Sequence, residues 1–214
     1  HAPFMGGVLT NFSELTVDGT DAIDVVEVPG GLAVVANSYW TANNVVKSLP
    51  AVFEAAPELT DFSTEAFSQQ LSAALENPET MSKALDDGDV DAALANAAQT
   101  VDVEYEVPFL AHACMEPMTA TAHVTSSGCT VWAPTQGANS LRKAVGAALD
   151  MDVEAVTIHR TYAGTGFGRK VETDFGVQAA IIAKAVGQPV KLIWSREEDI
   201  KNDFYRPGFK VRMK

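Results

Sequence analysis

Cysteine is scarce: Cys114 and Cys129 are the only two in 214 residues, and neither sits in a C-x-x-C pair or a metal-finger spacing. No disulfide framework is expected. Both are read as buried thiols, a bridge across the hairpin they flank being the alternative. No apolar run reaches the roughly 18 residues that a membrane-spanning helix needs, so the chain is read as not transmembrane. Bases are also few, 15 Lys and Arg against 28 Asp and Glu, for a net charge of −13. That balance excludes nucleic acid as a partner, since its recognition needs a basic face. No Gly-Lys-Ser/Thr phosphate loop is present. No Gly-x-Gly-x-x-Gly fingerprint with its downstream acid is present either.

The charge is unevenly spread. Residues 1–100 carry fifteen acids against Lys47 and Lys83, whereas residues 101–214 carry thirteen of each sign. The first half reads as a solvated acidic surface, and the second as the place where an anionic group is tolerated. Composition divides the chain into three parts. Residues 1–56 are strand-rich, with a hairpin signal at Ile23–Val28, Pro29-Gly-Gly31 and Leu32–Ala36 and a helix from Tyr39 to Leu49 ended by Pro50. Residues 57–98 form an acidic, alanine-rich helical connector: Thr64 to Leu75, then Asp89 to Gln99 after an Asp87-Gly88-Asp89 turn and N-cap. Residues 99–214 mix both periodicities. Strands are expected at Thr100–Val107, Ala120–Val124, Cys129–Ala133, Val156–Tyr162 and Val190–Trp194, and helices at Ser140–Leu149 and Thr173–Val186. Interleaved strands and helices point to an α/β or α+β layer. The run Phe209–Lys214 reads as a strand in progress, so the chain is expected to be a fragment of something longer.

What the chain does have is Gly164-Thr165-Gly166-Phe167-Gly168-Arg169-Lys170 between a strand and a helix. Three glycines in five residues let another group approach the backbone and permit positive φ. Amides in such a loop at a helix start make an anion-binding nest, to which Arg169 and Lys170 add charge. A plain tight connection is the competing reading.

Four further patterns flank the loop in fixed order: His112-Ala-Cys-Met-Glu-Pro117, Trp132-Ala-Pro-Thr-Gln136, Pro189–Asp199 with its Trp-Ser-Arg-Glu-Glu-Asp ending, and Asp203-Phe-Tyr-Arg-Pro207. This set resembles the large, molybdenum-binding subunit of the xanthine dehydrogenase/aldehyde oxidase family, most closely the isoquinoline 1-oxidoreductase beta-subunit type. Pro3–Gly7 and the Asp24–Ala36 hairpin resemble that family's hammerhead domain. The resemblance implies an α+β fold: a hammerhead-like α/β domain at 1–56, the connector at 57–98, and at 99–214 the N-terminal portion of a mixed α/β molybdopterin-binding domain. It implies a parent enzyme that oxidises an aldehyde or aromatic N-heterocycle, a small molecule, by water-derived hydroxylation at a molybdenum centre. The cofactor would be molybdopterin, as the cytosine dinucleotide, and electrons would pass to a small [2Fe–2S] partner subunit. Localisation stays open between cytoplasm and periplasm.

The resemblance also assigns residues. Gln136 matches the glutamine whose amide bonds an oxygen ligand of molybdenum. Gly166, Phe167 and Gly168 match the segment passing beside the metal, and Arg169 is expected to face the pterin. Lys170 has no assigned partner. Glu116 reads better as a structural carboxylate accepting backbone N–H bonds than as an acid–base group, and Arg196 with Glu198 or Asp199 as an ion pair. A metal trio of His112, Cys114 and His123 lacks a fourth ligand.

Two departures matter. Thr165 stands where glycine is usual, so it must avoid positive φ or carry strain. Val171 stands where xanthine oxidases place a substrate-orienting glutamate, which disfavours a purine. The family's catalytic glutamate lies downstream of this stretch, so the expected catalytic set within these residues is empty, no metal ligand is expected, and the fragment alone is expected to be inactive and to hold no cofactor. Two other readings stay open: a non-catalytic homologue serving as a scaffold, and an unrelated enzyme that holds a nucleotide phosphate on the loop.

Overall fold

The computed structural model describes residues 1–59, 61–77, 79 and 81–214. The first elements are β1 (Val8–Leu9), β2 (Ala22–Val28), β3 (Gly31–Ala36), α1 (Tyr39–Ser48) and β4 (Phe53–Glu54). Then come α2 (Thr64–Leu75), α3 (Val90–Ala95), β5 (Val103–Val107), β6 (Thr119–Thr125) and β7 (Gly128–Ala133). The rest are α4 (Ala138–Leu149), β8 (Val156–Arg160), α5 (Asp174–Val186), β9 (Val190–Ile193), α6 (Arg196–Lys201) and β10 (Phe209–Met213). They sort into two compact units, residues 1–57 with 111–204, and residues 58–110 with 205–214. The compositional connector at 57–98 includes Thr60, Pro78 and Thr80, which lie outside the described residues.

The larger unit is built on a four-stranded mixed sheet in the order β8-β7-β6-β9. β6 and β7 form the expected hairpin, closed at Thr125↔Gly128, and β9 pairs antiparallel to β6. β8 pairs parallel to β7, which requires a crossover, and α4 supplies it. Period-two alternation gives the sheet its faces. Ala120 and Ala122 on β6, with Cys129, Val131 and Ala133 on β7, are buried, while Thr121 and Trp132 pair on the other side.

The buried face is covered by α4 and α5. α4 presents Leu141, Val145 and Leu149, spaced by four, to the core. α5 is apolar nearly all round, and its surroundings explain why. Phe175, Ala179, Ala180 and Ala183 join the core on the sheet, whereas Ile182 meets Val26 and Val28 of the β2–β3 hairpin. Small alanines keep the helix close to the sheet. Gly176 does the same for the two helices, since a Cβ there would lie 2.5 Å from Leu141 Cδ1.

In the smaller unit β5 and β10 pair antiparallel, with Glu106 opposite Lys210 and Glu104 opposite Arg212. Each acid is thus matched by a base across the pair, at 3.0 Å in both. Phe62 and Phe67 of α2 and its approach pack around Phe109, with the Phe67 and Phe109 rings 4.9 Å apart.

Helix starts follow the sequence signals closely. Ser38, Ser63, Asp89 and Ser195 each accept a hydrogen bond from a main-chain N–H in the first turn of α1, α2, α3 and α6. Ends differ more. α3 stops at Ala95 instead of running to Gln99: Ala97 N tightens to Leu94 O at 3.3 Å, and the Asn96 side chain also donates to Ala92 O at 2.7 Å.

Gly176→Ala is expected to destabilise the larger unit by about 1 kcal/mol, the overlap with Leu141 outweighing alanine's helix preference. In a Leu141→Ala background, itself costing about 2–5 kcal/mol, the same change should become neutral or stabilising. Thermal unfolding of the four proteins checks this; simple additivity would contradict the packing described.

Candidate functional site

The glycine loop lies between two walls of main chain. On one side runs His112–Glu116, and the contacts form a ladder. Glu116 N donates to Gly164 O at 2.9 Å, and Gly164 N returns a bond to Glu116 Oε2 at 3.0 Å. Met115 N donates to the Thr165 hydroxyl at 3.0 Å, and the Cys114 thiol to Gly166 O at 3.2 Å. His112 Nε2 stands 3.8 Å from where a Cβ on Gly168 would sit. On the other side is Gln136, just past the end of β7. Gly168 N donates to its Oε1 at 3.2 Å, and Gln136 N donates to Lys170 O at 2.8 Å.

This arrangement explains the glycines. A side chain at Gly164 would bring a Cβ within 2.6 Å of the Glu116 Cβ, and one at Gly166 would come within 2.9 Å of Gln136 Cδ and overlap its Oε1. Gly168 has φ +104°, a region closed to most other residues. Among the described residues, three of the four non-glycine residues with positive φ gather here: Ala113 at 46°, Thr165 at 71° and Phe167 at 51°. Each costs roughly 1–3 kcal/mol, so the surrounding bonds must hold them. Thr165 therefore takes the strained alternative, and its hydroxyl offsets part of the cost by accepting from Met115.

Because a main-chain N–H can only donate, the Gly168 bond sets which end of the Gln136 amide faces the loop. Oε1 points in, and the Nε2 donors point outward on an exposed side chain. Phe167 is 58% exposed and Met115 79% exposed, and exposed Val171 and Tyr162 add to an apolar rim.

The cations behave differently from the expectation. Arg169 is 1% exposed and Lys170 0%. The Arg169 guanidinium is gripped at both ends by Asp174, at 3.0 and 2.7 Å, and lies under the Trp194 and Phe204 rings. Burial works against its charge, but Asp174 and then Asp203 more than offset this and hold its pKa above the ordinary arginine value. Lys170 Nζ is 2.5 Å from Glu116 Oε2. Arg169 thus supports the loop from inside, and any influence it has on a bound group passes through the main chain. Nor does the loop open directly onto a helix. A single 3-10 turn, Arg169–Val171, precedes α5, so the helix-dipole part of the nest expectation does not hold.

Other assignments resolve plainly. Glu116 is the structural carboxylate expected, accepting from Gly164 N and from Lys170. Arg196 pairs with Asp199 at 2.6 Å and also donates to Cys114 O and Met115 O. Burial raises the Asp199 pKa despite Arg196. The His112, Cys114 and His123 trio does not assemble. His112 is held by Asp203, and His123 lies on the sheet face opposite the core, across from Thr130. Among the described residues no group of three His, Cys, Asp or Glu could hold a metal ion. The role of His112–Glu116 as the loop's second wall was missed; the strained Ala113 between two polar residues carries no sequence signal.

A free phosphate at this loop would find both local cations already paired with carboxylates. Residues 74–214 match the family model described as the molybdopterin cofactor-binding domain. The chain belongs to that family. It is 28% identical over 202 residues to a subunit of the nicotinate dehydrogenase of Pseudomonas putida, covering 92% of this chain and 17% of that protein. It is 33% identical over 113 residues to the beta subunit of the isoquinoline 1-oxidoreductase of Brevundimonas diminuta, covering 52% of this chain and 14% of the relative. The fold matches the aldehyde oxidoreductase of Desulfovibrio gigas with a TM-score of 0.60 at 20% identity, over 83% of this chain and 20% of the other. The chain therefore spans about a sixth of the length of the first of these relatives. Among the described residues, no helix is long and apolar enough to cross a membrane.

Both cysteines are free and buried, as expected. Burial pushes the Cys129 thiol up to about 11 and raises Cys114 as well. A disulfide-exchange reagent at about pH 8 should find neither thiol in the native protein and both after denaturation, because thiolate and access are both withheld. Rapid native labelling of Cys114 would contradict its packing against the loop, and of Cys129 its place in the sheet core.

Proposed function

We propose that this chain is part of a molybdenum hydroxylase large subunit and that its glycine loop and Gln136 face the molybdenum end of the pterin cofactor. The observation that carries the reading is the bond from Gly168 N to Oε1 of the exposed Gln136, which leaves the Nε2 donors of that amide at its other end. An amide donates a hydrogen bond without titrating, so it can polarise a metal-bound oxygen over a wide pH range. Gly166 supplies the close approach, Phe167 a ring at the mouth, Gly168 the amide that orients Gln136, and Arg169 the buried brace behind them. When bound, the cofactor supplies the redox chemistry by which a substrate carbon gains an oxygen from water.

Within this frame the substrate is an aldehyde or an aromatic N-heterocycle. Val171 is exposed where a purine-orienting acid would stand, and Met115, Phe167 and Tyr162 offer apolar contact. The names of the relatives, nicotinate dehydrogenase and isoquinoline 1-oxidoreductase, support that class. The hammerhead identity of residues 1–56, the domain boundaries at 57–98 and 99–214, the cytosine dinucleotide form and the [2Fe–2S] partner belong to the same proposal. A scaffold role without cofactor is the second reading, favoured by Thr165 standing at a strained loop position.

In the complete enzyme, Gln136→Ala should lower turnover about 100-fold, as losing one preorganised donor does elsewhere, with thermal stability unchanged. Gly166→Ala should reproduce the loss by displacing the Gln136 amide. Unchanged turnover in both would remove the assigned role.

A further inference from the structure

Asp203 lies two residues beyond the end of α6, outside both the glycine loop and its walls, yet its side chain is only 1% exposed. A carboxylate so buried needs partners. It has three. His112 donates its main-chain N–H to Oδ2 in a short bond, and its ring Nδ1 lies 3.1 Å from both carboxylate oxygens. Arg169 Nε is 3.0 Å from Oδ1. That last contact is ionic, because the Nε hydrogen is not aimed at the oxygen and has no other acceptor. The other edge of the guanidinium is taken by Asp174, so Asp203 alone faces the Nε side.

These partners join the first wall to the loop itself. His112 begins the first wall, and its Nε2 edge approaches Gly168. Arg169 directly follows Gly168, whose N–H orients Gln136. We infer that Asp203 is a positioning residue whose buried carboxylate clamps His112 to Arg169 and so keeps the Gly168 amide aimed at Gln136. The inference rests on the reading that this loop faces the cofactor. A shift of Arg169 carries Gly168 and Lys170 with it, and both are bonded to Gln136. The loop's strained residues are then held by a tie that none of the loop motif itself supplies.

The test is hydrogen exchange, followed by mass spectrometry, on the full-length chain co-expressed with its small subunit. Asp203→Asn should speed exchange across 112–116 and 164–170 by roughly tenfold, while peptides from α5 keep wild-type rates. Asp174→Asn, which strips the other carboxylate from Arg169, should leave 112–116 unchanged. His112→Phe keeps the ring volume and removes the Nδ1 contact; it should loosen 164–170, and it decides the matter if Asp203→Asn does not accumulate. Unchanged exchange in the loop, or an equal rise through α5, would reduce Asp203 to an ordinary core ion. A wild-type complex without molybdenum would sink the functional reading, while the exchange comparison would still decide the clamp.

Discussion

The site depends on one absent side chain. At Gly166 there is no room for a Cβ, because the Gln136 carboxamide occupies that space, and this lets the loop and the segment after β7 share a hydrogen bond between Gly168 and Gln136. The direction of the Gln136 donors and the exposed placing of Phe167 follow from that approach. The ladder from His112 to Glu116 fixes the loop from the far side, so its conformation is set by protein contacts alone. Strain at Ala113, Thr165 and Phe167 is tolerated because bonds surround it.

Charge is used here for support rather than for display. Arg169, Lys170 and Arg196 all lie near the loop, and each is paired with a carboxylate: Asp174 with Asp203, Glu116, and Asp199. Phe167, Met115 and Val171 are exposed beside them. With its cations already paired, the loop gives little reason for a free phosphate to bind.

Much of the fold could be read from pattern. The period-two runs of β6 and β7 and the four-residue spacing in α4 each have a local cause, and these three elements stand within a few residues of their expected places; α6, capped by Ser195, was not expected. The glycine loop and Gln136 were legible as well, through motif order. The inward turn of Arg169 was not, because a cation beside a glycine loop reads the same whether its partners are a ligand or buried carboxylates. Asp174 and Asp203 are distant in sequence from each other, and only folding brings them to one guanidinium. The wall at His112–Glu116 was hidden for the same reason: its bonds to the loop span about fifty residues of chain.

Membership of the molybdopterin cofactor-binding domain family makes one measurement the most direct: molybdenum content of the full-length parent chain, co-expressed with the proposed iron–sulfur partner in molybdate-supplemented cells. The account predicts near-stoichiometric molybdenum in the purified complex. A folded, soluble complex free of molybdenum would contradict it and leave the glycine loop as a structural turn in a scaffold protein.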